Sequence, residues 1–202
     1  MSRIFCIMGK SASGKDKIYK ALMQDETLRL NKIVTYTTRP IREKEEDGRE
    51  DHFVSQETFE EMKHRGEVIE FRKYDTYFGP WYYFTADDGQ IDLDTQDYLI
   101  INTLEALGGL QAFFGKEKVV PLYVEVEDGE RLLRAITREQ KQAQPAYEEM
   151  CRRFLADAED FSEEKLKAAD VGEAYRFANR QDAMEECVAK IRDCILRERT
   201  AE

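Results

Sequence analysis

Five consecutive apolar residues, Ile4–Met8, stop at Gly9. An unbroken run of this length predicts a strand covered on both faces, as in a parallel sheet. Lys15–Met23 follows with Ile18, Tyr19, Leu22 and Met23 on one helical face. Lys32–Tyr36 reads as a second short strand, and Thr37–Asp51 is a polar, charged loop punctuated by Pro40 and Gly48. Ser55–Arg65 predicts a helix with Ser55 as its N-cap and Gly66 just past its end. Val68–Tyr74 and Trp81–Thr85 predict strands around a turn at Phe78-Gly79-Pro80. Tyr98–Asn102 is another buried-type strand, leading into a helix that ends near Phe114. Val119–Val126 predicts a strand, and Glu130–Lys141 and Tyr147–Lys167 predict helices joined by the polar link Gln140–Pro145. Arg176–Asn179 reads as a short edge segment and Gln181–Arg197 as the closing helix. Strand and helix alternate, so the expected class is α/β with a mostly parallel sheet and a small mixed insert over 37–86.

Composition narrows the classes. A chain of 202 residues with 42% hydrophobic content can bury a core of one domain, with or without a small insert. The formal net charge of −11 disfavours bulk nucleic-acid binding, though a local basic pocket can still hold a small nucleotide. Cys6, Cys151, Cys187 and Cys194 show no CxxC spacing and lie far from His52 and His64, so buried free thiols are expected rather than a zinc site. The apolar run near the N-terminus is too short for a signal peptide or a membrane span, and no other segment is long enough. The expectation is a soluble cytoplasmic protein without nucleic-acid or membrane partners. Monomer and homo-oligomer are both open.

The chemistry enters at Gly9-Lys10-Ser11-Ala12-Ser13-Gly14-Lys15, which fits G-x-x-x-x-G-K between a buried-type strand and a helix. Glycines permit the tight backbone, successive N–H groups cradle phosphate oxygens, and the helix N-terminus adds positive potential. Lys15 is placed to reach the β- and γ-phosphates of a nucleoside triphosphate. Asp16 stands where a serine or threonine hydroxyl usually faces Mg²⁺. A carboxylate is a good hard-oxygen ligand, so Asp16 is a candidate metal residue; its alternative role is to complement the helix start.

The run from Val34 to Ser55, VTYTTRPIREKEEDGREDHFVS, resembles the guanylate kinase family, in which a TTRxxR segment leads through an acidic loop and a glycine to an aromatic and V-S. The likeness continues at GEVIEF and Tyr77-Phe78-Gly79, at Val126-Glu127-Asp128, at Arg134 and Arg138, at Arg152-Arg153-Phe154 with Glu159, and at Phe177-Ala178-Asn179. It covers nearly the whole chain in order. It implies a P-loop nucleoside monophosphate kinase in three parts: a core (1–36 and 87–202), an acceptor-nucleotide subdomain (37–86) and a lid near 138–150. The implied reaction is ATP plus GMP giving ADP plus GDP, with Mg²⁺. Gly9, Lys10, Ser11, Ala12, Ser13, Gly14, Lys15 and Asp16 would hold the triphosphate, with Asn179 near the donor adenine. Arg39 and Arg42 match arginines that grip the acceptor phosphate, and Arg138 and Arg153 match lid-side arginines. With Lys15, these four form the candidate catalytic set. Guanidinium groups suit the task because they bind phosphate bidentately. Glu70 matches a glutamate that accepts from guanine N1 and N2. Thr35 matches a hydroxyl on guanine, and Phe78 lies at a phosphate tyrosine.

Other positions depart from the family pattern. Asp51 replaces a second phosphate tyrosine, Phe78 lacks the hydroxyl, and Pro80 replaces a serine that touches guanine. The family's Asp-x-Asp is replaced around Asn102-Thr103-Leu104, with Glu105 nearby, and the helix before that strand is reduced to the acidic stretch Ala86–Asp97. Three readings therefore remain: a guanylate kinase acting on GMP or dGMP, a P-loop kinase for another acceptor, and a non-catalytic protein-binding module. For Glu70 the plain alternative is that strand alternation points it to water.

Overall fold

The computed structural model describes residues 2–76 and 79–200. Its first strand, β1 (Ile4–Met8), is fully buried, as an unbroken apolar run requires. Alternate β1 residues serve opposite layers. Phe5 and Ile7 pack with Ile18 and Leu22 of α1 (Lys15–Met23) and with Ile191 and Ile195 of the closing helix α7 (Met184–Thr200). Ile4, Cys6 and Met8 pack on the other face with Leu107 and Leu110 of α3 (Leu104–Phe114) and Leu166 of α6 (Glu163–Ala168). The central sheet thus lies between two helical layers.

That sheet holds five parallel strands. β1 sits in the middle between β7 (Tyr98–Ile101) and β8 (Val119–Glu125); β2 (Asn31–Lys32) flanks β7 and β9 (Arg176–Ala178) flanks β8. The loop after β1 therefore opens at the carboxyl end of the central strand, where open α/β sheets place ligands.

The second sheet differs from expectation at its entrance. Lys32–Tyr36 is not one strand: β2 ends at Lys32, and β3 (Thr35–Thr37) begins a separate sheet of order β4-β3-β6-β5. β4 (Asp51–Phe53), at the end of the expected loop Thr37–Asp51 and in a stretch with no expected element, pairs parallel to β3. β5 (Val68–Thr76) and β6 (Gly79–Ala86) form an antiparallel hairpin longer than its apolar pattern suggests. Gly79 and Pro80 lie in β6 itself, opposite Thr76 and Asp75. The outer face of this sheet packs Phe84 against Phe59 of α2 (Gln56–His64), whose N-cap Ser55 accepts from the Thr58 amide as expected.

Two further differences concern helices. The expected helix over Tyr147–Lys167 is two, α5 (Tyr147–Asp160) and α6, because Ser162 caps α6 by accepting from the Lys165 amide and so starts a new helix. α4 spans Asp128–Glu139, two residues earlier at each end than its hydrophobic pattern suggests. Among the cysteines, Cys6, Cys187 and Cys194 are buried free thiols; Cys151, on a solvent-facing side of α5, is exposed. Among the described residues no helix is long and apolar enough to cross a membrane, and no cluster of three or more potential ligands suits a metal ion.

The two sheets meet where α3 lies against β5. A Cβ on Gly109 would stand 2.4 Å from the Glu70 Cβ, so only glycine permits this approach. Gly109→Ala is expected to destabilise the fold by about 1–3 kcal/mol through overpacking. The same change at an open helical site would gain up to about 1 kcal/mol. Urea denaturation at neutral pH checks the sign; a stabilised variant would contradict the contact.

Candidate functional site

The phosphate loop is built by close approach. At Gly9 a Cβ would meet the Val124 carbonyl oxygen at 2.7 Å, and at Gly14 (φ 87°) it would meet the Asn179 amide nitrogen at 2.6 Å. The ends of β8 and β9 therefore press directly on the loop. Asn179 Nδ2 donates to the Ser13 carbonyl at 2.8 Å, while its buried Oδ1 has no hydrogen-bond partner. Gly14 also opens α1, accepting from the Lys17 and Ile18 amides. Asp16 lies exposed in the first turn of that helix, beside Lys15.

Lys15 is largely enclosed. Burial lowers its pKa, Asp16 and Asp157 oppose that shift, and Arg138 adds to it. The lid-side arginines therefore do reach the loop: Arg138 and Arg153 line a small cavity together with Ser11, Arg131, Met150 and Phe154. Arg153 also stands 3.4 Å from Glu149.

Three residues with no role in the sequence motifs, Arg131, Asp157 and Glu139, organise this corner. Arg131 of α4 is 1% exposed and stacks 3.9 Å above the Phe154 ring. It faces Asp128 at 3.0 Å and Asp157 at 3.1 Å. Asp157 of α5 accepts from the Ser11 backbone amide at 2.7 Å, so a lid-side carboxylate holds one of the loop's own N–H donors. Asp128 also receives Lys10 at 3.5 Å. Glu139, buried at the end of α4, accepts from the Ala146 amide at 2.6 Å and from Gln142, pinning the link between the two lid helices. The sequence signal for these residues is present but unusual: Arg131, Ala135 and Glu139 share the buried stripe of α4, while Leu133 points outward, 67% exposed. Leu132 and Ile136 flank that stripe half-buried, and hydrophobic periodicity alone does not mark two charged residues as buried.

Across the cleft, the second sheet carries the acceptor candidates. Arg39 is 6% exposed and grips Glu45 through two hydrogen bonds of 2.6 and 2.7 Å, with Asp51 3.6 Å away and the Phe53 ring beneath. Arg42 is separate from it in character: its side chain is exposed, with Glu45 at 4.0 Å. Asp51 links two expected site residues, accepting from the Thr35 hydroxyl at 2.5 Å while facing Arg39. Phe78 lies outside the described residues.

Glu70 is 7% exposed and does not point to water. A bulge between Val68 and Glu70 shifts the strand register, so Ile69 packs toward the core while Phe71 meets Phe59 on the outer face. Glu70 Oε1 accepts from the Thr85 hydroxyl at 2.6 Å and more distantly from Asn102 at 3.5 Å and Arg72 at 3.4 Å. Asn102, at the altered Asp-x-Asp segment, thus joins the cluster, whereas Glu105 is exposed on α3. Burial pushes the neighbouring Cys6 thiol up to about 12, with Glu70 adding to the shift and Arg72 opposing it.

Glu45 provides a pH signature. Its hydrogen bonds to Arg39 hold its pKa down at about 2. A depressed folded-state pKa means that this pairing stabilises the fold fully above the ordinary carboxylate value and is lost as pH falls toward about 2. The stability difference between wild type and Glu45→Gln is therefore expected to be largest near neutrality and to shrink below about pH 4.5. Denaturation at a series of pH values tests this; a difference unchanged down to about pH 3 contradicts it.

Comparison with known proteins bears on these features. Residues 1–88 match the family model described as Guanylate kinase. A guanylate kinase from Nitrosomonas europaea is 39% identical over 70 residues, covering 35% of this chain and 34% of that protein. One from Aliivibrio fischeri is 32% identical over 101 residues, covering 46% and 49% respectively. The match thus spans between about a third and half of the length of these relatives. A crystal structure of guanylate kinase from Anaplasma phagocytophilum superposes with a TM-score of 0.63 at 19% identity, covering 99% of this chain and 87% of the other. The likeness in fold therefore extends well beyond the segment matched in sequence.

Proposed function

We propose that this chain, a divergent member of the guanylate kinase family, transfers the γ-phosphoryl group of ATP to a guanine nucleoside monophosphate. The observation that carries the reading is Glu70: a carboxylate enclosed in the cleft, its second oxygen without a hydrogen bond, across from a phosphate loop. Guanine offers N1–H and N2–H donors to such a group, and adenine does not offer the pair.

Phosphoryl transfer requires alignment and neutralisation of charge more than covalent assistance. Gly9, Lys10, Ser11, Ala12, Ser13, Gly14 and Lys15 hold the triphosphate in this reading, with Asn179 at the adenine side. Lys15, Arg138 and Arg153 converge on the transferred group. Arg39 and Arg42 hold the acceptor phosphate, Arg39 fixed in place by Glu45 and Arg42 free to swing inward. Thr35, Glu70 and Phe78 complete the acceptor set. In this reading the chain divides into a core (1–34 and 87–202), an acceptor unit that begins with β3 and so spans 35–86 rather than 37–86, and a lid near 138–150. Asp16 offers a hard carboxylate oxygen beside the loop, which suits Mg²⁺ held by one carboxylate and substrate phosphates. The ion would neutralise phosphate charge during transfer.

A second reading, a P-loop kinase for another acceptor, is favoured by one observation: Asp51 occupies a family tyrosine position and binds both Thr35 and Arg39, placing extra negative charge in the acceptor site. ADP release with ATP, Mg²⁺ and a panel of nucleoside monophosphates and deoxy forms separates the readings. GMP or dGMP turned over well above the rest supports the lead. Preference for another base supports the second, and no turnover with any acceptor supports a binding module. Glu70→Gln is expected to lower kcat/KM for GMP by about ten- to a hundredfold, the loss of a charged hydrogen bond. Equal loss on every base would remove its recognition role. Asp16→Ala is expected to raise the Mg²⁺ concentration needed for half-maximal turnover; an unchanged requirement would remove the metal role.

A further inference from the structure

We infer that Arg72 reads the carbonyl edge of the acceptor base, as the donor counterpart of Glu70; this rests on the guanine acceptor proposed above. Arg72 lies two residues beyond Glu70 on β5, after the bulge, so both side chains leave the same face of the strand. Its side chain is 10% exposed, and its Nε stands 3.3 Å from Glu70 Oε2. Neither of those buried atoms makes a hydrogen bond. Among the described residues Glu70 is the only group that accepts from or pairs with this guanidinium. A cation so enclosed, with most of its five donors unmatched by protein, is unusual unless a ligand completes it.

The chemistry of the missing partner follows from the two charges together. Guanine places N1–H and N2–H on one edge and the O6 and N7 acceptors next to them. A carboxylate matches the donors, and a guanidinium fork matches O6 and N7 bidentately. Adenine meets both groups with the wrong polarity: its N6 amino group faces a donor, and its N1 faces an acceptor. The family serine that touches guanine is Pro80 here, without a hydroxyl, and the Asp-x-Asp segment carries Asn102 and Leu104. Arg72 supplies the donors that Pro80 lacks. Tyr83, directly across from Arg72 on β6, packs edge-on against Tyr74 at 5.5 Å and lines the same face.

The test compares wild type, Arg72→Gln and Arg72→Lys with three acceptors: GMP, 7-deaza-GMP lacking N7, and 6-thio-GMP, in which a weakly accepting sulfur replaces O6 while the N1–H and N2–H that face Glu70 remain. Equilibrium binding by calorimetry is measured beside kcat/KM from ADP release. Wild type is expected to bind GMP about tenfold more tightly than either 6-thio-GMP or 7-deaza-GMP. Arg72→Gln is expected to weaken GMP to the level of those two nucleotides, whose own binding changes less. Arg72→Lys keeps the charge but cannot span two acceptors, so it is expected to lose most of the discrimination even if the glutamine variant folds poorly. Equal weakening of all three acceptors, or unchanged discrimination in both variants, overturns the assignment. Binding discrimination that depends on Arg72 without turnover of any acceptor overturns the kinase reading alone.

Discussion

A carboxylate removed from water must be met by donors, because an unpaired buried charge costs several kcal/mol. Glu70 imposes that requirement at the junction of the two sheets, and four elements answer it. Thr85 comes from the partner strand of the hairpin, Asn102 from the end of β7, Arg72 from β5 itself, and Gly109 of α3 leaves the room. The bulge beside Val68 turns the side chain inward in the first place. The placement of the second sheet against the core is thus coupled to one charged residue.

The phosphate loop obeys the same rule with the signs reversed. Arg131 is fully enclosed, so it is matched by Asp128, Asp157 and an aromatic face. Asp157 passes the restraint on to the Ser11 amide, joining the lid helices to the loop. Lys15, the residue meant for phosphate, is instead kept beside a second cation, Arg138, in a partly desolvated place. The chain is acidic overall, yet Lys15, Arg131, Arg138 and Arg153 gather at this corner, so the local potential there can differ in sign from the net charge.

Much of the core was legible from residue order. Ile4–Met8, the glycine loop and Lys15–Met23 fell where periodicity puts them, because strand burial and helix amphipathicity are local patterns. The loop's geometry was legible too, since the close approaches at Gly9 and Gly14 are backbone requirements that glycine spacing announces. Sheet membership was not. Lys32–Tyr36 looks continuous, yet its two halves join different sheets, a choice made by strand partners sixteen to sixty-seven residues away.

The sequence by itself determined most of the elements and the strand, glycine loop and helix around Gly9–Lys15. The tertiary structure alone decided what the buried charges meet. Simple alternation would have left Glu70 facing water, and the bulge turns it inward; helical pattern marks α4 as a helix, and the fold buries Arg131 and Glu139 on it. Arg39 reads as a candidate phosphate grip, and the fold adds its pairing with Glu45. In each case the deciding term is the pairing of a desolvated charge, which depends on partners distant in sequence and leaves no periodic trace along the chain.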